Sequence, residues 1–422
     1  MEIEKKSVNI FTKIGLMLTT IGPGIFLIGY NIGTGSVTTM ASAGSRYNMT
    51  LFWALFLSCV FTFVMLVAYG KFTLVTGETA IYSFKKYFKY GKAISIFIML
   101  VLIIGEIAAL TGIMGIVGEL LREWTKPLSP GGEGFNQIGI TIVLIIGLYY
   151  LLWVGKYSLF EKFLIIFVIV KVTAFVLSMI LVVPEPMVII KGLVPGIPDE
   201  PNAYLIAGGM AGTTLSAAVF IIRSIVVSEK GWTVKDLKLE RKDAFVSATV
   251  MLILSASIMA CAAGTLYVMG KPVDRAIDMV TTLEPIAGRF AMSIFVAGIV
   301  SAGLSAVFPI VLIAPWLICD YLHIPRNVQS PLFRILGAIA ILFGLYTPIF
   351  HARPVWVMIA SQSFQATIMP FVTIFMIILL NRKDIMGEHK IGFWMNLGCW
   401  LTFAFSIVMA YSGVVGLIDF LK

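Results

Sequence analysis

Three ionisable side chains lie inside long apolar runs: Glu106 in "IIGEIAAL", Lys171 in "IIFVIVKVTAFVLSMI" and Arg223 in "SAAVFIIRSIVV". A charge in hydrocarbon is costly, so each is a functional candidate by its position alone. Lys171 stands too far from either end of its run to snorkel to an interface, and it needs a partner or the loss of its proton. Glu106 is the plainest partner, and such a pair both braces helices and can exchange a proton. Arg223 keeps its proton at any physiological pH, which makes it a fixed positive charge or an anchor near a helix end. A second group of residues is uncharged: "NIGTGS" (31–36) and "AGGMAGTTLSAA" (207–218) interrupt apolar runs with glycines and hydroxyls. Unwinding there frees peptide N–H and C=O groups, and glycine lets a ligand approach the backbone closely. The chemistry on offer is binding and charge compensation. No phosphate loop, phosphorylatable aspartate motif or catalytic constellation accompanies it, and the chain is read as a non-enzyme with no cofactor.

The elements that carry these residues follow from composition. Of 422 residues, 59% are hydrophobic and 13% charged, and the mean hydropathy is +0.98. A water-soluble domain of this size would not tolerate such a surface. A spanning helix needs roughly 20 mostly apolar residues. Eleven such segments fall at about 14–45, 51–75, 93–121, 138–154, 158–183, 203–227, 244–269, 289–319, 332–349, 354–380 and 391–418. The chain is therefore an all-α, multi-pass integral membrane protein whose surroundings are the lipid bilayer. Lys and Arg gather in alternate loops, such as "KKYFKYGK" (85–92) and "KDLKLERK" (235–242). This bias predicts a cell-membrane protein with the N-terminus cytoplasmic and the C-terminus outside. The net charge of +9 reflects that bias and calls for no nucleic-acid partner. Cys59, Cys261, Cys319 and Cys399 stand singly and read as packing residues. His323, His351 and His389 are too dispersed in sequence to suggest a metal cluster.

The two interruptions lie in the first and sixth segments, five segments apart, and each is near mid-span. Paired breaks at equivalent places of two halves point to an inverted-repeat transporter with its substrate between them. Small residues also line close-packed membrane helices, but the coincidence of position and polarity favours a site. The expected organisation is one transporter domain over 1–422. Inverted five-helix repeats lie at about 10–183 and 203–381, and an added helix at 391–418.

"GPGIF" (22–26), "AGSRYNMTLFW" (43–53), "VTGE" (75–78), "FVAGIVSAGLSAVFP" (295–309), "SQSFQATIMPF" (361–371) and "LNRKDIMGE" (380–388) together resemble the Nramp (natural resistance-associated macrophage protein) family of divalent-metal transporters over nearly the whole chain. The resemblance implies the LeuT fold: two inverted five-helix repeats, here with an eleventh helix, and the first and sixth helices unwound at mid-membrane. It also shows what differs. The family's Asp-Pro-Gly-Asn motif falls on Gly33, Thr34, Gly35 and Ser36, and its Met-Pro-His-Asn motif on Ser216, Ala217, Ala218 and Val219. A second family histidine falls on Arg223. Only the glutamine of the tenth segment is kept, as Gln362. In the wider superfamily, some sodium-independent members place a fifth-helix lysine where others bind sodium, and Lys171 resembles that residue.

A dehydrated divalent ion needs several oxygen, nitrogen or sulfur ligands and generally a carboxylate. The expected substrate-binding set is Asn31, Gly33, Thr34, Gly35, Ser36, Thr213, Thr214, Ser216, Ala217 and Gln362, which supplies no charge and no metal site of the family's kind. Lys171, Glu106 and Arg223 are the expected coupling or charge residues. With no acidic ligand in the set, the balance favours an anionic or zwitterionic small molecule carried by alternating access, with Lys171 as a candidate proton carrier. A divalent-cation transporter (manganese, iron or hydrated magnesium) with a rebuilt site is the alternative. It requires an acid such as Glu106 to reach the centre. A non-transporting sensor is a third reading.

Overall fold

The computed structural model describes residues 29–129, 131–154, 165–175, 177, 185–280 and 284–422. The beginnings of the first expected segment and repeat lie outside these residues, as does much of the fifth segment. Each of the eleven expected segments contains a helix: α1 (Thr34–Tyr47), α2 (Phe52–Thr76), α3 (Gly91–Trp124) and α4 (Gln137–Val154), α5 (Ile165–Phe175), α6 (Ala203–Glu229), α7 (Val234–Tyr267), α8, α9 (Pro331–Phe350), α10 (Pro354–Asn381) and α11 (Phe393–Leu421). The eighth, α8, runs from Glu284 to Leu322. Nine of them are long and apolar enough, among the described residues, to cross a membrane.

Local chemistry sets the helix ends and irregularities. Gly77 closes α2 at φ +70°, and its N–H returns to the Thr73 carbonyl, a left-handed cap that costs a β-carbon-free residue little. Pro331 and Pro354 open α9 and α10, where no N–H is needed. Pro309 and Pro315 lie inside α8, and a π turn at Ala263–Tyr267 ends α7.

The core of the bundle is α6, whose membrane window is wholly buried. Its first half packs on α10 and α11, its second half on α2, while α3 and α8 pack together beside α1. Bilayers give no hydrophobic drive between helices, so small residues must permit close packing. Gly212 is the tightest case: a β-carbon there would lie 1.9 Å from the Gln362 carbonyl oxygen of α10. The contact therefore fixes α10 against α6 one turn from the site.

Candidate functional site

α1 begins after an unwound pair, Ile32 and Gly33, which follows the helical residues 29–31. α6 breaks at Leu215 and Ser216, between the helical stretches Ala203–Thr214 and Ala217–Glu229. Neither Gly33 nor Ser216 caps the half-helix it opens, so both new N-termini present peptide N–H groups at the break. The two breaks meet directly. Ser36 Oγ lies 2.9 Å from Thr213 Oγ1, Asn31 Nδ2 donates to the Thr214 carbonyl at 3.3 Å, and Ser36 closes the break in α1 by donating to the Asn31 carbonyl at 2.7 Å.

Between them lies a cavity of about 30 Å³, above the roughly 10–15 Å³ needed to hold a water. Asn31, Gly33, Gly35 and Ser36 line it from the first break, Thr213 and Ser216 from the second, and Gln362 from α10. Seven of the ten expected ligand positions are therefore brought together. The other three are not in the lining. Thr34 turns toward α8, its Oγ1 2.8 Å from where a β-carbon on Gly303 would stand. Thr214 contributes its carbonyl to Asn31 and Thr62 instead of its hydroxyl to the cavity. Ala217 is fully buried as the first residue of the second half-helix.

The lining also contains residues absent from the expected ligand set: Glu106 from α3, Tyr30, Ile310 and Gln365. Tyr30 OH donates to Glu106 Oε1 at 2.5 Å, which ties α3 to the residue before the break. The carboxylate thus stands in the cavity between the two breaks. Tyr30 and Gln365 each gave a signal in the sequence. A tyrosine in an apolar run needs a partner for its hydroxyl. Gln365 lies three residues beyond Gln362, on the same face of a helix.

The ion pair expected between Lys171 and Glu106 is not formed among the described residues. Lys171 Nζ instead donates to the carbonyls of Gly29 (3.2 Å) and Ile32 (2.8 Å) and to Ser305 Oγ of α8 (3.1 Å). The geometry explains the difference. Unwinding leaves carbonyls without N–H partners at the negative end of a half-helix, and an ammonium there satisfies them.

Arg223 is neither a lipid anchor nor an exposed inner charge. It is fully buried and paired with Glu240, at 3.0 Å, and with Asp243, both nearly fully buried on α7. Two carboxylates cancel the repulsion it was expected to exert on a cation. Reading along one segment could not reveal partners that lie seventeen and twenty residues away.

The donor set is oxygen-rich: one carboxylate, the three side-chain amides of Asn31, Gln362 and Gln365, and the hydroxyls of Tyr30, Ser36, Thr213 and Ser216. Among the described residues no group of three His, Cys, Asp or Glu could hold a metal. Any cation held here would rely on amides, hydroxyls and backbone around a single acid. Oxygen ligands of this kind suit hard ions such as magnesium, calcium and manganese better than soft ones.

A family profile described as "Natural resistance-associated macrophage protein-like" matches residues 24–416. The chain belongs to the Nramp family. Among relatives of this Nramp chain, a divalent metal cation transporter of Klebsiella pneumoniae is 23% identical over 97% of this chain and 96% of its own length. One from Listeria monocytogenes is 24% identical over 96% of this chain and 90% of its own. The match to the corresponding Clostridium acetobutylicum protein, at 25% identity, covers 46% of this chain and 45% of that protein. A mutant of the Eremococcus coleocola manganese transporter superposes with a TM-score of 0.73 at 14% identity, covering 98% of this chain and 88% of that one. A sodium-coupled sialic acid symporter does so with 0.63 at 13%, covering 96% and 90%. At these identities the structural likeness establishes the fold, which is that of Nramp and LeuT-type transporters. This Nramp chain is a multi-pass membrane transporter.

Proposed function

We propose that this transporter carries a hard divalent cation through a rebuilt site in which Glu106 supplies the negative charge that the family motif no longer provides. The observation behind this reading is the Glu106 carboxylate in the cavity between the two helix breaks. The expectation of an anionic or zwitterionic solute rested on a site without an acid, and Glu106 removes that premise. Size permits this cargo. A cavity of about 30 Å³ has room for an ion or a water, which needs at least about 10–15 Å³. The relatives described as divalent metal cation transporters lend no support to a non-metal cargo.

In this reading Asn31, Ser36, Thr213, Ser216, Gln362 and Gln365 surround the ion with oxygen, and Gly33 and Gly35 let the backbone close on it. Lys171 holds the first break and is the candidate proton carrier. The single domain of two repeats plus α11 works by alternating access: α1 and α6 move against α3, α4, α8 and α9, with the N-terminus in the cytoplasm. Calorimetry on the purified protein tests the cargo. Saturable binding of manganese or magnesium is expected, and Glu106→Gln should weaken it at least about tenfold, the loss of one carboxylate from a single-acid site. Binding of a small carboxylate with no binding of either metal would overturn the proposal. Metal binding without uptake into vesicles would leave a sensor.

A further inference from the structure

A second cavity, of about 510 Å³, opens on the face that carries "KDLKLERK". It lies between α2, the start of α7 and the start of α11. On α2, Phe63, Val67 and Lys71 line it at intervals of four residues, so they form one row along a single helix face. Two apolar side chains are thus followed by a cation, over about 12 Å at 1.5 Å per residue. Lys238 and Arg241 complete the basic rim from α7, and Trp394 of α11 forms the outer wall. Trp394 is 80% exposed, as expected of a tryptophan placed at a membrane interface.

The charge of this rim is not balanced from within the protein. None of Lys71, Lys238 and Arg241 is in an ion pair among the described residues; Lys71 donates only a long bond, 3.5 Å, to the Lys390 carbonyl. Glu240 also lines the groove, but it is fully buried and pairs with Arg223, as does Asp243; Asp236 is bonded to Thr233 and Asp384 to Arg382. Three unopposed cations stand over an apolar channel that reaches down a membrane helix. A phosphate group would answer the rim and an acyl chain the channel. A soluble anion would leave the row from Phe63 to Val67 without a partner.

We infer that this groove is a binding site for an anionic phospholipid, its phosphate held by Lys71, Lys238 and Arg241 and one acyl chain laid along Phe63 and Val67. Polybasic clusters beside membrane helices draw anionic lipids at roughly fivefold in affinity per basic residue.

The test uses the full-length protein in neutral detergent, with native mass spectrometry for retained lipid and thermal unfolding for stabilisation. Phosphatidylglycerol should be retained and should raise the Tm; phosphatidylcholine with the same chains and inorganic phosphate should do neither. The triple variant Lys71→Gln, Lys238→Gln, Arg241→Gln should bind phosphatidylglycerol about a hundredfold more weakly. A charge-matched control, Lys230→Gln, Lys235→Gln, Lys242→Gln, removes three exposed cations of the same face from outside the groove and should bind as the wild type does. If the triple variant does not fold, the double variant at the exposed residues Lys238 and Arg241 should still show a loss of more than about tenfold. The inference fails if phosphatidylcholine stabilises equally, if phosphate alone reproduces the shift, or if the control loses as much binding as the groove variant.

Discussion

The clearest residue-scale departure from expectation is Lys171. Its ammonium occupies a small oxygen cage formed by two carbonyls and a hydroxyl, the ligand set a sodium ion would take. Removing the side chain leaves that cage unfilled at the negative end of a half-helix. Lys171→Ala should therefore make uptake depend on sodium, and should change its pH dependence more than it changes protein yield. Uptake that is unaffected by sodium and unchanged between pH 5 and 8 would remove Lys171 from both roles. Glu106 shows the complementary case: an acid whose position along α3 disclosed its depth in the membrane but not the face it presents to Tyr30.

The two half-helix pairs at the element scale are held together by backbone contact at small residues. Gly212 allows the Gln362 carbonyl within a distance that no β-carbon would permit, so α6 and α10 set the position of Gln362 as a unit. Gly212→Ala should force the helices apart, costing about 1–3 kcal/mol as overpacking does. It should also weaken cation binding, because Gln362 moves with α10. Thermal unfolding and calorimetry on the same preparation read both effects, and normal binding in a destabilised protein would separate the contact from the site. Gly35 faces the same side chain, with a β-carbon there 2.7 Å from Gln362 Nε2. That side chain can rotate away, so a milder loss of stability is expected at Gly35, while cation binding should still weaken.

Across the whole molecule, contacts at the C-terminal ends of α1 and α6 tie these two broken helices to other elements. On one side Arg46 of α1 pairs with Asp274 at 2.6 Å and lies over Trp356 of α10. On the other, Glu229 at the end of α6 pairs with Arg326 of the α8–α9 link, also at 2.6 Å. Glu229 is more than half exposed, so the second pair is worth at most about 1 kcal/mol. Glu229→Gln, which leaves Arg326 its second and more distant partner Asp320 at 3.9 Å, should shift the balance between the two access states by no more than about fivefold, without loss of fold. Labelling of a cysteine placed in the inner half of α6 would measure it, and a complete switch of state would show that the link does more than this pair.

Several of these features were legible in the chain before folding. Eleven apolar runs can only be membrane helices, because backbone groups in hydrocarbon must bond within their own segment. Two glycine and hydroxyl interruptions at matching places pointed to a shared site, since broken backbone at membrane depth is tolerated only where protein buries it or it lines a cavity. Seven of the ten expected positions line the cavity for that reason. Tertiary structure decided the rest, because charge and size at a site are properties of what converges there. Glu106 and Gln365 arrive from α3 and α10, Lys171 bonds to the carbonyls of α1, and Arg223 is neutralised by α7. The sequence by itself determined that the protein is a transporter broken at its centre. Only the packing of distant helices put a carboxylate at the break, a negative charge that neither interrupted segment carries in its own sequence.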